Sequence, residues 1–197
     1  MKKLYPTIFK EGIARAASTL ALVERGECLR GIEVGYQLIS EALKGGHTVF
    51  ACGNGGSAAD AQHFTAELIG HYKAKRKPLA ALSLTTDTSA LTAIGNDDGY
   101  GEVFARQVNG LGKKDDVLVA FTTSGRSHNV LRAITDAHQI GMRTIVLTGT
   151  SGDWLRGDEQ MRVDACVVVP SEETARIQEV HGIIIHLWCE ALDEAFA

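Results

Sequence analysis

The chain has 197 residues, a formal net charge of −4 at pH 7, 45% hydrophobic residues and 22% charged ones. This is the profile of one globular domain with a substantial core, and without a basic surplus nucleic acid is not an expected partner. Cys28, Cys52, Cys166 and Cys189 form no CxxC pair, so the thiols read as free and the setting as reducing and cytoplasmic.

In chain order, the first segment "MKKLYPTIFKEG" has its apolar stretch interrupted by Pro6 and ended by Lys10, unlike a secretory leader. No later run approaches the roughly 18 apolar residues of a membrane span. Residues 8–44 read as two helices. Ile13, Ala17, Leu20 and Val23 follow helical spacing, then Ile32, Tyr36, Ile39 and Leu43 do so again before Gly45-Gly46. From residue 47 the rhythm changes to short apolar runs: "HTVFACG" (47–53), "LAALSL" (79–84), "DVLVAF" (116–121), "TIVLTG" (144–149) and "ACVVVP" (165–170). Helical patterns near 57–72, 88–95, 101–111, 127–140 and 172–195 separate them. Strands apolar on both faces and joined by helices predict an α/β fold. It is a three-layer α/β/α sandwich around a doubly wound five-stranded parallel sheet, with ligands at the carboxyl ends of the strands. The basic stretch "YKAKRKP" (72–78) reads as a solvated loop. The whole is a single domain over 1–197, with a helical hairpin over 1–46 and the α/β core over 47–197.

Three stretches carry chemistry. The first is "CGNGGSAADAQHFTAEL" (52–68), a glycine-rich strand-to-helix turn suited to an anion at a helix N-terminus. Gly53-Asn54-Gly55-Gly56-Ser57-Ala58 satisfies G-x-G-x-x-A, but a dinucleotide site needs an acidic residue about 20 positions on. The nearest candidate, Asp87, comes 29 positions after Ala58. A Walker A loop fails because no lysine follows the glycines. His63 and Glu67 stand at i, i+4 on one helix face. The second stretch is "TTSGRS", Thr122 to Ser127, with four hydroxyls in six residues at a strand end. Such a turn makes a nest for one phosphate, while Ser127 also suits a helix N-cap. The third is "TARIQEVHGIIIHLWCEAL", which puts Gln178, His181 and His186 on an otherwise apolar helix, where polar groups need partners. Glutamate, two histidines and an amide oxygen together suit a Zn²⁺-like ion. Gln178 and His186 are nevertheless about 12 Å apart along the helix axis and about 80° apart around it. In "AIGNDDGYGEVFARQV" (93–108), Asn96 and Asp97 suit either turn chemistry or a site.

Taken together, "CGNGGSAADAQHFTAEL", "TTDTSALTAIGNDDGYG", "TTSGRSHNV" and "TARIQEVHGIIIHLWC" resemble the phosphoheptose isomerase family, whose members are built on a flavodoxin-like sugar-isomerase (SIS) domain. The likeness runs in order over nearly the whole chain. It implies conversion of sedoheptulose 7-phosphate to D-glycero-D-manno-heptose 7-phosphate, the first step toward heptoses of the lipopolysaccharide core and some capsules. It also implies a homotetramer that uses the N-terminal hairpin and has active sites at subunit interfaces, with zinc in many members. Carried over residue by residue, substrate contacts fall at Asn54, Gly55, Gly56, Glu67, Asn96, Asp97 and Gln178. The phosphate loop is Thr122, Thr123, Ser124 and Ser127. The metal set is His63, Glu67, Gln178 and His186, and the acid/base pair is Glu67 and His186. Aldose–ketose exchange moves one proton between adjacent carbons through an enediol, which a carboxylate base and a nearby acid suffice to promote.

The chain departs from the family pattern at Thr122, where serine is frequent, at His71, where arginine is frequent, and at Arg126, where asparagine or lysine is frequent. Two alternatives accompany the resemblance. One is a non-enzymatic SIS protein that binds the replication initiator protein, a group that lacks the carboxylate matching Glu67 and one glycine matching Gly55-Gly56. The other is an isomerase of a different sugar phosphate.

Overall fold

A computed structural model describes residues 5–197; residues 1–4 of the expected helical pair lie outside the described residues. Five strands form one sheet: β1 (Val49–Gly53), β2 (Ala81–Ser83), β3 (Val117–Phe121), β4 (Arg143–Gly149) and β5 (Ala165–Val169). Their order is β2-β1-β3-β4-β5 and every pairing is parallel. The winding reverses on either side of β1, so β1 and β3 open the crevice where doubly wound sheets bind ligands.

Alternate strand residues face opposite layers, as the two-residue period of a strand requires. Val49, Ala51, Val117, Val119 and Phe121 join one buried cluster with the helices α2 (Glu27–Lys44), α3 (Gly56–Ile69) and α7 (Thr174–Ala195). Phe50, Cys52, Leu118 and Ala120 join the other with α5 (Ala105–Leu111) and α6 (His128–Gln139). Every residue of β1 and β3 is buried, which explains why their sequence runs are apolar throughout. The two N-terminal helices are seated differently. Helix α2 lies on β5, whereas α1 (Tyr5–Val23) rests on α7 and leaves Tyr5, Ile8, Phe9 and Ile13 exposed. Among the described residues no helix is long and apolar enough to cross a membrane.

The elements depart from the sequence expectation in three places. The 79–84 run shortens to the three residues of β2, an edge strand with Leu82 exposed. The helix expected over 101–111 is split into a 3₁₀ turn at Tyr100–Glu102 and α5. Gly101 there approaches His128 so closely that a Cβ would lie 2.8 Å from its ring, so a side chain at this turn would crowd the imidazole. Helix α3 ends at Ile69 rather than 72, because the Arg76 guanidinium takes the carbonyls of Glu67 and Leu68 at 2.9 and 2.8 Å. Those are acceptors that another helical turn would need. The basic stretch is therefore anchored to the core, not simply solvated.

Candidate active site

The glycine turn is built by Gly55, whose φ of +58° suits glycine, and by Gly56, which opens α3. A Cβ on Gly56 would lie 2.6 Å from the Gln178 side-chain nitrogen, so the α7 amide rests directly on the turn. The Asn54 side chain crosses from β1 to α6. It donates to Asn129 Oδ1 at 2.8 Å, and its own Oδ1 accepts from Asn129 at 2.9 Å. The Tyr100 hydroxyl donates to the same oxygen at 3.2 Å, which ties the turn after Asn96 and Asp97 to the glycine loop. Asn96 itself donates to Asp97 at 2.7 Å on the exposed end of α4 (Thr88–Asp97). A cleft of about 240 Å³ opens here, lined by Asn54, Tyr100, Gly101, Ser127, His128 and Asn129.

The hydroxyl loop borders this cleft. Thr122 is buried and continues the β3–β4 pairing, its N–H donating to Leu147 at 3.0 Å. Gly125 has φ +65°, and Ser124 Oγ accepts from the Arg126 N–H at 3.2 Å. Ser127 stands at the N-cap of α6 but makes no side-chain capping bond; its Oγ instead meets the Thr122 hydroxyl at 3.4 Å. The hydroxyls and first amides of α6 thus gather beside β1 at the sheet's carboxyl edge, an arrangement that suits an anion. Thr123 follows Thr122 at the end of β3, its carbonyl accepting from Gly149 at 3.0 Å.

Two turns along α3 lies the second half of the site. His63 Nε2 is 3.5 Å from Glu67 Oε1 and 3.3 Å from His186 Nε2 on α7. The two imidazoles meet edge to face with centroids 5.0 Å apart, and Tyr72 stacks on His186. Two nitrogens about 2.0–2.1 Å from one tetrahedral zinc ion stand about 3.3–3.4 Å apart, and a nitrogen and an oxygen nearly the same. Both separations at His63 match such edges, and two imidazoles with a carboxylate are a zinc donor set. Among the described residues no three His, Cys, Asp or Glu side chains converge as a ready cluster, so the match extends to two edges. Gln178 does not join this group within one chain. Its amide lies at Gly56, about 10 Å from His63 at 1.5 Å rise per residue.

Between the two halves is a buried pair that pattern reading found only in part. His181 is fully buried, and neither ring nitrogen has a hydrogen-bond partner. Its Nδ1 is 4.0 Å from Asp60 Oδ2 on α3. Burial lowers the His181 pKa to about 4 and raises that of Asp60 to about 6, the latter opposed by nearby His63. His181 stood out as a polar break in an apolar helix, but Asp60 did not. Asn129, Tyr100 and Tyr72 were missed as well. "TTSGRSHNV" places Asn129 in the first turn after the hydroxyl loop, and that position was the available signal.

Comparison with known proteins identifies the family and the fold. The SIS domain family matches residues 13–149. A phosphoheptose isomerase of Helicobacter pylori is 52% identical over 160 residues, 81% of each chain. Among solved structures, a phosphoheptose isomerase of Francisella tularensis superposes with a TM-score of 0.90 at 35% identity, covering 98% of this chain and 100% of its own. The Neisseria gonorrhoeae enzyme of the same name gives 0.82 at 42% identity, covering 96% of both. Similarity of that strength along almost the full length means that the chain belongs to the phosphoheptose isomerase family of SIS-domain enzymes.

Proposed function

We propose that this enzyme interconverts sedoheptulose 7-phosphate and D-glycero-D-manno-heptose 7-phosphate, with Glu67 as base and His186 as acid. The observation that carries the reading is the His63–Glu67–His186 group, set two helical turns beyond a glycine turn at the carboxyl edge of the sheet. The phosphate binds at Thr122, Thr123, Ser124 and Ser127, and the sugar hydroxyls meet the turn at Asn54, Gly55 and Gly56 together with Gln178, Asn96 and Asp97. Glu67 removes the proton from C1 while His186 protonates the C2 oxygen, giving the enediol. Return of a proton to C2 and loss of the O1 proton then yield the aldehyde. The 3.3 Å approach of His63 to His186 supports His186 in this role in the metal-free enzyme, where a close partner holds the ring; zinc on both Nε2 atoms would take the place of that contact.

The donor set further supports a zinc ion held by His63, Glu67 and His186, with Gln178 left to the substrate. Such an ion polarises substrate oxygens as a Lewis acid when bound. Elemental analysis is expected to find zinc in the parent and its loss in His186→Ala, and equal zinc in both would reject the ligand set. The exposed apolar residues of α1 support a homotetramer with sites at subunit interfaces. Four buried free thiols accord with a cytoplasmic setting. The two alternatives, a regulator bound to the replication initiator and an isomerase of another sugar phosphate, are not favoured. The glycines and Glu67 are intact, and the relatives share one name.

The test is turnover of a panel of ketose phosphates by the parent and by Glu67→Gln. The seven-carbon ketose should be the best substrate, and the variant should lose roughly 10²–10⁴-fold in turnover. Near-parental turnover in the variant would overturn the reading.

A further inference from the structure

The segment after α3 is held down far more firmly than its composition suggests. The Arg76 and Asp193 side chains are almost wholly buried, at 0% and 3% exposure. Arg76 Nε donates to Asp193 Oδ1 at 2.8 Å. The other carboxylate oxygen of Asp193 accepts from the backbone N–H groups of Lys73 and Ala74 at 2.6 and 2.8 Å. The guanidinium also donates to the carbonyls of Leu68, Glu67 and Lys77. One buried ion pair with its hydrogen bonds satisfied thus staples residues 73–77 to the end of α3 and to α7. The residue just before the stapled amides is Tyr72. Its ring lies on the His186 imidazole with centroids 5.2 Å apart and planes only 14° from parallel. Lys73 Nζ sits 5.2 Å over the Tyr72 ring and pairs with Glu190 at 2.9 Å.

We propose that residues 72–76 form a strap that positions the acid/base pair, with Tyr72 as a positioning residue that holds the plane of His186 and Arg76 fixing the backbone at Glu67. His63 meets the His186 ring at a steep angle and Tyr72 stacks on it nearly parallel, so two rings of different orientation hold the imidazole. The stack needs an aromatic face and no hydroxyl chemistry. This inference rests on the reading of His186 as the acid, so its test carries a control for that reading.

Three variants, Tyr72→Phe, Tyr72→Ala and Tyr72→Leu, are compared with the parent in steady-state kinetics. The ring signals of carbon-13-labelled histidine are recorded alongside, with His186 assigned from its loss in His186→Gln. A misplaced catalytic group costs up to about a hundredfold. Tyr72→Ala and Tyr72→Leu should therefore lower kcat about ten- to a hundredfold with KM within about twofold, and both should lose the ring-current shift of His186. Tyr72→Phe should keep rate and shift. If Tyr72→Ala fails to fold, Tyr72→Leu, which fills the volume, decides. Parental kcat in the leucine variant would overturn the strap, as would a change in KM alone, an unmoved His186 signal, or a Tyr72→Phe variant as slow as the alanine one. If His186→Gln itself retained parental turnover, the acid assignment would fail and with it the kinetic arm, while the ring-current result would still report on the clamp.

Discussion

The Asp60–His181 pair gives the protein two opposed pH dependences of stability that single substitutions should separate. His181 has its pKa lowered by burial from 6.5 to about 4. The unfolded chain therefore takes up a proton near pH 6.5 that the folded chain resists, and the stability contributed by neutral His181 is full above 6.5 and lost as the pH falls toward 4. Asp60 behaves in the opposite sense. Burial raises its pKa from 3.8 to about 6, so its contribution is full below 3.8 and lost as the pH rises through 6. At about 1.4 kcal/mol per unit, the His181 shift corresponds to roughly 3 kcal/mol across its window, and that of the less buried Asp60 to less after solvent screening. In the parent the two oppose each other between pH 4 and 6. Asp60→Asn should expose the histidine: its roughly 3 kcal/mol should be lost from pH 6.5 to 4, no longer opposed by the carboxylate. His181→Leu should expose the carboxylate, and its stability should rise over the same descent. His63, which faces Asp60 and lowers its pKa, is controlled with His63→Gln. Urea denaturation at constant ionic strength across this range provides the measurement. Parallel profiles for the two variants would refute the argument, because opposite signs are its content.

Three further outcomes follow from the site. Gly56→Ala should fold, because the group in its way is the end of a flexible amide, but displacement of Gln178 should raise KM on the order of tenfold, the equivalent of one lost hydrogen bond. Kinetics alongside thermal melting checks both halves. Ser124→Ala should raise KM by the loss of a hydroxyl–phosphate bond, roughly 1.5–3 kcal/mol, with little change in melting temperature; unchanged KM and a clear fall in melting temperature would restrict Ser124 to the turn it makes with Arg126. Light scattering should give a mass several times the 21.1 kDa of one chain, and a monomer at micromolar concentration would count against the assembly.

Much of the fold could be read from the chain because it depends on local pattern. Val49 to Gly53 and Val117 to Phe121 are buried along their whole lengths, and an uninterrupted apolar run between helical segments is the direct record of that. His63 and Glu67 were readable for the same reason, since a spacing of four on a helix guarantees a shared face. What escaped pattern reading depends on partners distant in sequence. Arg76 looks like one charge among several in "YKAKRKP", and nothing local reveals that a carboxylate 117 positions away will bury it. Asn129 looks like an ordinary first-turn residue until Asn54, 75 positions earlier, meets it amide to amide. Gln178 and His186 share one helix and read from the sequence as ligands of one ion, yet their spacing of eight sets Gln178 at the start of α3 and His186 beside its middle.

That spread shows how the site is built. Helices α3 and α7 meet at successive points: Gly56 with Gln178, Asp60 with His181, then His63 with His186. The numbers rise together on both helices, so the two run parallel, and one register fixes all three contacts. A slip of one residue turns a helix by about 100°, which would carry Gln178 off the glycine turn and separate His63 from His186 in the same movement. The glycine turn and the His63–Glu67–His186 group are therefore not independent loop features that happen to be close. They are two ends of one seam, with the 4.0 Å approach of Asp60 to His181 in the middle. The strap at Tyr72 and Arg76 extends the same logic past the end of α3: where the helix stops, a buried ion pair takes over the task of holding the backbone at Glu67. Rigid elements set the positions of Glu67 and His186 to finer tolerance than a surface loop provides, the tolerance that the proposed proton transfer between adjacent carbons demands.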